Sequence, residues 1–263
     1  MKFLNQKEAA QVDDEFFNTL GYTLDQLMEL AGLSVAQTAY REFPPSTTAT
    51  TTVAVICGPG SLPPPVFSPF FSRHTSTWLP SQTKQNHITD NGGDGLVCAR
   101  HLLYYGYRPV VVYPKPNTRT PFLARLVQQL AAHGVAVEAA LPAGLLDTCA
   151  FVVDAIFGYS FRPPVRGVFA DIIAAVNASA KPVLAVDVPS GWDVEAGPLP
   201  DTVAVAHCAV CVSLSAPKLC VARALPAGCR HYLGGRFVPP CLAQKMGLDL
   251  PVFPGADMVV LLQ

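Results

Sequence analysis

Five short runs rich in Val, Ile, Leu and Ala, at 52–57, 108–113, 150–154, 182–187 and 208–214, are set apart by helix-length stretches at 92–106, 119–134 and 166–177. That alternation restricts the fold more than any other property of the chain. Strands joined through helices are parallel, because an antiparallel hairpin needs only a short turn whereas a parallel crossover needs a helix-sized connection. The expected architecture is α/β: a doubly wound, mainly parallel sheet in a three-layer α/β/α sandwich. Two more helical segments, 5–17 and 22–40, precede the first strand. Thr23 or Asp25 suits the cap of the second, and Leu24, Leu27, Met28, Ala31 and Val35 give it an apolar stripe fit for core or subunit packing.

Between the first apolar run and the helix at 92–106 lies a glycine-rich phosphate loop in two pieces, Gly58-Pro59-Gly60 and Asn91-Gly92-Gly93-Asp94-Gly95. Strand, glycine turn and helix in that order aim backbone N–H groups at an anion. The intervening segment, 61–90, has five prolines, no glycine and no helical or strand period. A structureless connection of about 30 residues exceeds the ordinary span of a loop in a compact domain. Its abrupt edges point to an irregular insertion of the retained-intron or gene-model kind ahead of a functional one. If translated, it leaves the downstream half of the loop capping its helix and threatens to displace the upstream half, weakening substrate binding or abolishing activity.

The 263 residues, 50% hydrophobic and with a formal charge of −1, suit one large α/β domain spanning 1–263. The 18 basic residues are scattered among 19 acidic ones, which argues against a nucleic-acid surface. No apolar, uncharged run reaches the roughly 18 residues of a membrane span. The polar start, Met1-Lys-Phe-Leu-Asn-Gln-Lys-Glu8, is neither a secretory signal nor an Arg-rich transit peptide, so the chain as written is expected in the cytoplasm, or in mitochondria if a targeting peptide lies upstream. Most of the eight cysteines sit in apolar segments and read as reduced core thiols. His207-Cys208-Ala-Val-Cys211 has zinc or redox spacing, but residues three apart on a strand point to opposite faces, and no second Cys-x-x-Cys completes a site.

In a Rossmann-like sheet, ligands bind at the carboxyl ends of the strands. Three ends here carry polar groups: Gly58-Pro-Gly60, Asp154 with the turn that follows it, and Asp187-Val-Pro-Ser190-Gly-Trp-Asp193. Asp154 and Asp187 each follow an apolar strand, so each carboxylate is partly desolvated and needs a donor, a cation or a proton. One isolated Asp in such a place is ordinarily a helix cap or turn residue. Two of them beside a glycine loop make a pocket with anion-binding N–H groups and acid/base candidates. Asn91, Asp154 and Ser190 offer hard oxygens, suited to an alkali or alkaline-earth ion and not to zinc.

The segments Leu4-Asn-Gln6, Ala10-Gln-Val-Asp13, Asp25-Gln-Leu-Met-Glu-Leu-Ala-Gly32, the split loop, Val153-Asp-Ala-Ile-Phe-Gly-Tyr-Ser-Phe161, Val186-Asp-Val-Pro-Ser-Gly-Trp-Asp193, Ser213-Leu-Ser-Ala-Pro-Lys218 and His231-Tyr-Leu-Gly-Gly-Arg-Phe-Val-Pro-Pro240 follow one another in a specific order. Together they resemble the NAD(P)H-hydrate epimerase family, described in vertebrates as apolipoprotein-A-I-binding protein. The resemblance covers nearly everything outside 61–90. It implies an isomerase that interconverts the R and S forms of NADHX and NADPHX, nicotinamide cofactors hydrated at C6, in metabolite repair. An ATP- or ADP-dependent dehydratase then acts on the S form, and a homodimer is expected. The implied cofactor is a potassium ion, held by Asn91, Asp154 and Ser190. Implied substrate contacts are Asn91, Gly92, Gly93, Asp94, Gly158, Tyr159, Ser160, Phe161, Arg162, Pro163, Pro164 and Asp187. Arg162-Pro163-Pro164 departs from the family's Lys-Gly-Asp type of sequence, so two backbone donors are lost to proline while Arg162 keeps a charge for phosphate. Asp90 stands where the family has Asn.

Asp187 is the expected general acid/base, since inverting C6 requires proton movement as the hydroxyl leaves or the ring opens. Replacing it with Asn is expected to abolish activity and leave the fold intact. Lys218 reads either as a phosphate partner or as a solvated loop charge, His231 as a structural polar residue, His101 as surface, and Trp192 as a base-stacking or loop-closing residue. A non-catalytic binding protein on the same scaffold would not need Asn91, Asp154 and Ser190 together, yet all three are present. A dehydrogenase would need Gly-x-Gly-x-x-Gly and an acidic residue after the second strand, where Pro114-Lys-Pro116 stands instead.

Overall fold

The computed structural model describes residues 1–60, 90–117 and 121–263. Helix α1 (Gln6–Asp14) opens on a capping box in which the Asn5 side chain accepts from the Glu8 amide and Glu8 reaches back to the Asn5 amide. α1 continues into a π-helical turn, Glu15–Thr19. α2 (Leu24–Glu42) opens on the same device, built from Thr23 and Gln26, so Thr23 and not Asp25 is the cap. Leu27, Met28, Ala31 and Val35 are buried against the chain's own core. The stripe on α2 is therefore used for packing within the chain.

One sheet is built from β1 (Thr51–Cys57), β2 (Tyr107–Val112), β3 (Ala136–Glu138), β4 (Phe151–Ala155), β5 (Val183–Val186), β6 (Cys208–Leu214), β7 (Arg230–Gly234) and β8 (Val259–Leu261), in the order 3-2-1-4-5-6-7-8. Each pair is parallel except β7 with β8. The five anticipated strands are present within a residue of the expected bounds, and β3, β7 and β8 extend the sheet at its two edges. The remaining helices are α3 (Asn91–Tyr104), α4 (Pro121–Ala132), α5 (Leu145–Thr148), α6 (Val168–Ser179), α7 (Leu219–Ala224) and α8 (Pro240–Met246). No helix among the described residues is long and apolar enough to cross a membrane.

Alternation along β1 shows how the layers form. Val53, Val55 and Cys57 join the core under α2, α3 and α4, while Ala54 and Ile56 join the core under α5 and α6. A strand covered on both faces carries apolar side chains at every position, which is why β1 reads as an unbroken run. A third cluster, formed by α1, α7 and α8 over Ala185, Cys208 and Cys211, completes the second face. Strand order reverses between β1 and β4, and α3 lies close over both. A Cβ on Gly95 would fall 2.6 Å from the Ala155 Cβ and 2.8 Å from the Cys57 Sγ.

Two expectations change here. Cys208 and Cys211 lie in one core cluster and not on opposite faces, because the register against β5 skips Ala209. The Cys229 Sγ joins them 3.7 Å from the Cys208 Sγ. Seven of the cysteines are buried and Cys241 is exposed. The inserted residues 61–89 lie outside the described residues, but the two halves of the glycine loop are in contact. A Cβ on Gly60 would fall 2.4 Å from the Asp90 Oδ2, and one on Gly92 would fall 2.2 Å from the Gly58 carbonyl oxygen. The upstream half is therefore not displaced.

Candidate active site

The reversal of strand order opens a crevice at the carboxyl ends of β1 and β4, and the loop entering α3 fills its floor. Asp90 caps α3 through Oδ1, which accepts from the Gly93 amide at 3.0 Å. Its other oxygen is buried without a partner among the described residues, and desolvation lifts the carboxyl to about 6 against the pull of the Gly93 and Gly92 amides. Asn91 donates from Nδ2 to the Val186 carbonyl at 2.7 Å. Its Oδ1 is thereby turned to Gly158, where a Cβ would fall 2.5 Å from it.

Asp154, on β4, is buried and stapled to Ser190. Oδ1 accepts from the Ser190 hydroxyl at 2.6 Å and Oδ2 from the Ser190 amide at 2.8 Å, while the Ser190 Oγ accepts from the Phe157 amide at 3.0 Å. Desolvation still raises this carboxyl to about 6. Beyond β5, Asp187 takes the left-handed backbone region, φ 66°, which costs a non-glycine residue on the order of 1 kcal/mol and is typical of functional turns. Its Oδ1 accepts from the Lys218 ammonium and, at 3.1 Å, from the Leu214 amide; its Oδ2 accepts from the Tyr159 amide at 3.3 Å.

The Asp187 and Lys218 side chains are each only 4% exposed, so Lys218 is neither a solvated loop charge nor free for a phosphate. It also donates to the Leu214 carbonyl at 2.9 Å and lies 5.5 Å from the centre of the Tyr159 ring. The burial corrects a second expectation: Asp187→Asn cannot leave the fold untouched, because it strands a buried ammonium. Tyr159 is fixed in turn by the N-terminal helix. Its hydroxyl donates to the Asp13 carboxylate, and Gln6 donates to its carbonyl at 2.9 Å.

Several of these groups line a cleft of about 100 Å³ that opens to solvent. Asp13, Asp90, Asn91, Asp94, Asp187 and Lys218 supply its polar lining. Apolar lining comes from the N-terminal helices, through Val12, Phe17, Leu24, Leu27 and Met28. Asp94 is 9% exposed, and desolvation, reinforced by Asp90, Asp187 and Asp13, pushes its carboxyl well above the usual range. Of the other anticipated contacts, Gly158 and Tyr159 line the cleft, whereas Gly92 and Gly93 are buried in the first turn of α3. Ser160, Phe161, Arg162, Pro163 and Pro164 fall outside the lining; Arg162 is exposed and Phe161 stacks on Phe157 at 4.4 Å. Asp154 and Ser190 also fall outside the lining.

Trp192 closes its loop over the core, donating to the Val205 carbonyl at 3.0 Å. His231 is structural, 2.9 Å from the Ser213 hydroxyl. His101 is half-buried and pairs with Glu29 on α2. Asp13 was not foreseen as part of the site, and Lys218 only as a phosphate partner and not as the partner of Asp187, although both sit in segments that carry the family resemblance.

Residues 86–220 match the family described as YjeF-related protein N-terminus. Across 99% of its length the chain is 40% identical to NAD(P)H-hydrate epimerase of Anopheles gambiae, covering 99% of that protein. It is 39% identical to NAD(P)H-hydrate epimerase of Caenorhabditis elegans, over 100% of this chain and 96% of that one. The crystal structure of yeast ynu0 has the same fold, with a TM-score of 0.81 at 36% identity over 100% of both chains. With the glycine loop, Asp154, Asp187 and Ser190 assembled at one sheet end and identity running the length of the chain, this protein belongs to the NAD(P)H-hydrate epimerase family.

Proposed function

We propose that this chain is an isomerase interconverting the R and S forms of NADHX and NADPHX by inverting the hydroxyl-bearing C6. The reading is carried by the Asp187–Lys218 pair facing the same cleft as the helix-capping glycine loop, in a chain so similar to named epimerases. The positive end of α3, whose first-turn residues Asn91 and Asp94 line the cleft, suits an anionic part of the dinucleotide. The apolar lining from α1 and α2 suits a nicotinamide ring. Asp187 is the acid/base at the hydroxyl, and Lys218 and Tyr159 orient it.

A potassium ion fits the donors beside the cleft: the Asn91 Oδ1, freed by the bond from Nδ2 to Val186, and the paired oxygens of Asp154 and Ser190. One carboxylate among neutral oxygens matches a monovalent hard cation better than zinc. When bound, the ion supplies positive charge next to the substrate phosphates. The S form passes to an ATP- or ADP-dependent dehydratase, completing repair of the cofactor in the cytoplasm, and the protein acts as a homodimer.

The test is a mixture of R- and S-NADHX treated with an S-specific dehydratase. Alone, the dehydratase stalls once the S form is spent; with this chain, consumption runs to completion, faster in potassium than in lithium. A stall that persists with the chain present removes the epimerase reading.

A further inference from the structure

Inversion at C6 by loss and return of the hydroxyl needs two proton carriers. The C6–O bond breaks with its electron pair going to oxygen, which takes a proton and leaves as water, while the N1 lone pair forms a C6=N1 iminium. Water then adds to the opposite face, the C6=N1 pair returns to nitrogen, and the surplus proton passes to a second group. One group ends a turnover a proton poorer and the other a proton richer, and the reverse reaction restores both. The two must therefore begin in opposite protonation states.

The cleft holds such a pair. Asp187 is met by donors alone, the Lys218 ammonium and the amides of Tyr159 and Leu214, an array that a carboxylate accepts in full. Asp94 lines the same cleft in the contrary setting. It is 9% exposed, and its side chain makes no hydrogen bond or ion pair to any described residue. The carboxyls of Asp90, Asp187 and Asp13 face it, and the cation that also faces it, Lys218, is already paired with Asp187. Burial first, and those carboxyls second, favour its neutral form. Neighbouring candidates are otherwise engaged: Asp13 carries the Tyr159 hydroxyl, and Asp90 caps α3.

We propose that Asp94 is the second proton carrier, delivering a proton to the departing C6 hydroxyl while Asp187 receives one from the incoming water. The proposal rests on the epimerase reading above. It is tested with Asp94→Asn and Asp94→Glu in the full chain, following R-to-S conversion, uptake of ¹⁸O from labelled water at C6, and the pH profile.

The expected result for Asp94→Asn is a kcat lower by about 100-fold or more, with KM changed little and ¹⁸O uptake reduced in step, while Asp94→Glu recovers part of the rate. The wild-type rate should fall on the alkaline side as Asp94 loses its proton amid Asp13 on α1, Asp90 before α3, Asp187 after β5 and Lys218 after β6; that limb should vanish in Asp94→Asn. An Asp94→Asn variant with wild-type kcat and an intact alkaline limb overturns the proposal, as does inversion without ¹⁸O uptake. If Asp94→Asn does not fold, infrared titration of the wild type replaces it: a protonated-carboxyl band lost over the same pH range as activity supports the proposal, and its absence at neutral pH overturns it. A wild-type chain that does not convert R-NADHX at all removes the epimerase reading itself, a result distinct from any of these.

Discussion

The Asp187–Lys218 pair separates what holds this site together from what drives its chemistry. Both side chains are 4% exposed, so removing either charge leaves the other buried without its partner. Breaking a buried pair from one side costs about 3–5 kcal/mol. In a chain of this size that lowers the melting temperature by roughly 6–20 °C. Asp187→Asn keeps an oxygen for the Leu214 or Tyr159 amide but abandons the ammonium; Lys218→Met keeps the length of the stem and leaves the carboxylate two amide donors. The double variant removes both charges and is expected within about 1–2 kcal/mol of the wild type, because apolar replacement of a whole buried pair is often near neutral. Urea denaturation of the four proteins gives a coupling energy of about 3 kcal/mol or more in favour of the pair. Epimerisation behaves differently: the double variant regains stability yet remains inactive, since Asp187 is gone. Two single variants each within about 1 kcal/mol of wild type, or a double variant as unstable as the sum of the singles, would refute the reasoning.

His231 is held neutral, near 4 against an ordinary 6.5, by burial first and by Lys218 second. The unfolded chain binds a proton there before the folded one does, so this contribution is full above pH 6.5 and is lost as pH falls to about 4, by about 3 kcal/mol in total; denaturation at pH 7 and pH 4.5 should show His231→Gln losing less than the wild type, and equal losses would count against it. Ser190→Ala removes the hydroxyl bonded to Asp154 at 2.6 Å, and the potassium concentration for half-maximal rate should rise about tenfold or more, an unchanged potassium curve contradicting the assignment. A chain with Gly60 joined directly to Asp90 should match the full chain in kcat and KM, because the two halves of the loop already meet; a marked gain on deleting 61–89 would show that they do not. Gly95→Val should cost at least about 1–3 kcal/mol of stability in thermal melts, since its Cβ would press on Ala155 and Cys57, whereas a neutral result would place α3 farther from the sheet.

Strands buried on both faces were legible because they are mostly apolar; β1, β4, β5 and β6 are of that kind. β3 and β8 are three-residue edge strands with exposed positions, too short to leave a pattern. β7 begins Arg230-His231, and its polarity disguised a strand whose histidine is buried through its bond to Ser213. Asp154 and Asp187 were readable because a carboxylate directly after a buried strand is conspicuous. Lys218 was not, since its burial depends on residues far away in sequence. Leu4 bridges to its segment, donating to the Pro217 carbonyl at 2.8 Å and accepting from the Leu219 amide at 3.0 Å.

That bridge belongs to a larger pattern. Leu4 braces the strand-like segment that carries Lys218, Gln6 holds the Tyr159 carbonyl, and Asp13 holds the Tyr159 hydroxyl. Lys218 and Tyr159 are in turn two of the three residues that donate to Asp187. The first 13 residues thus fix donors to Asp187, the proposed acid/base group, from outside the segment matched at 86–220. Beside Asp13, α1 and α2 contribute apolar lining to the cleft, and apolar surroundings lower the local dielectric around Asp94 and Asp187. On the proposed mechanism the N-terminal helices are part of the catalytic unit: the sheet end supplies the charges, and the helices orient the donors around them.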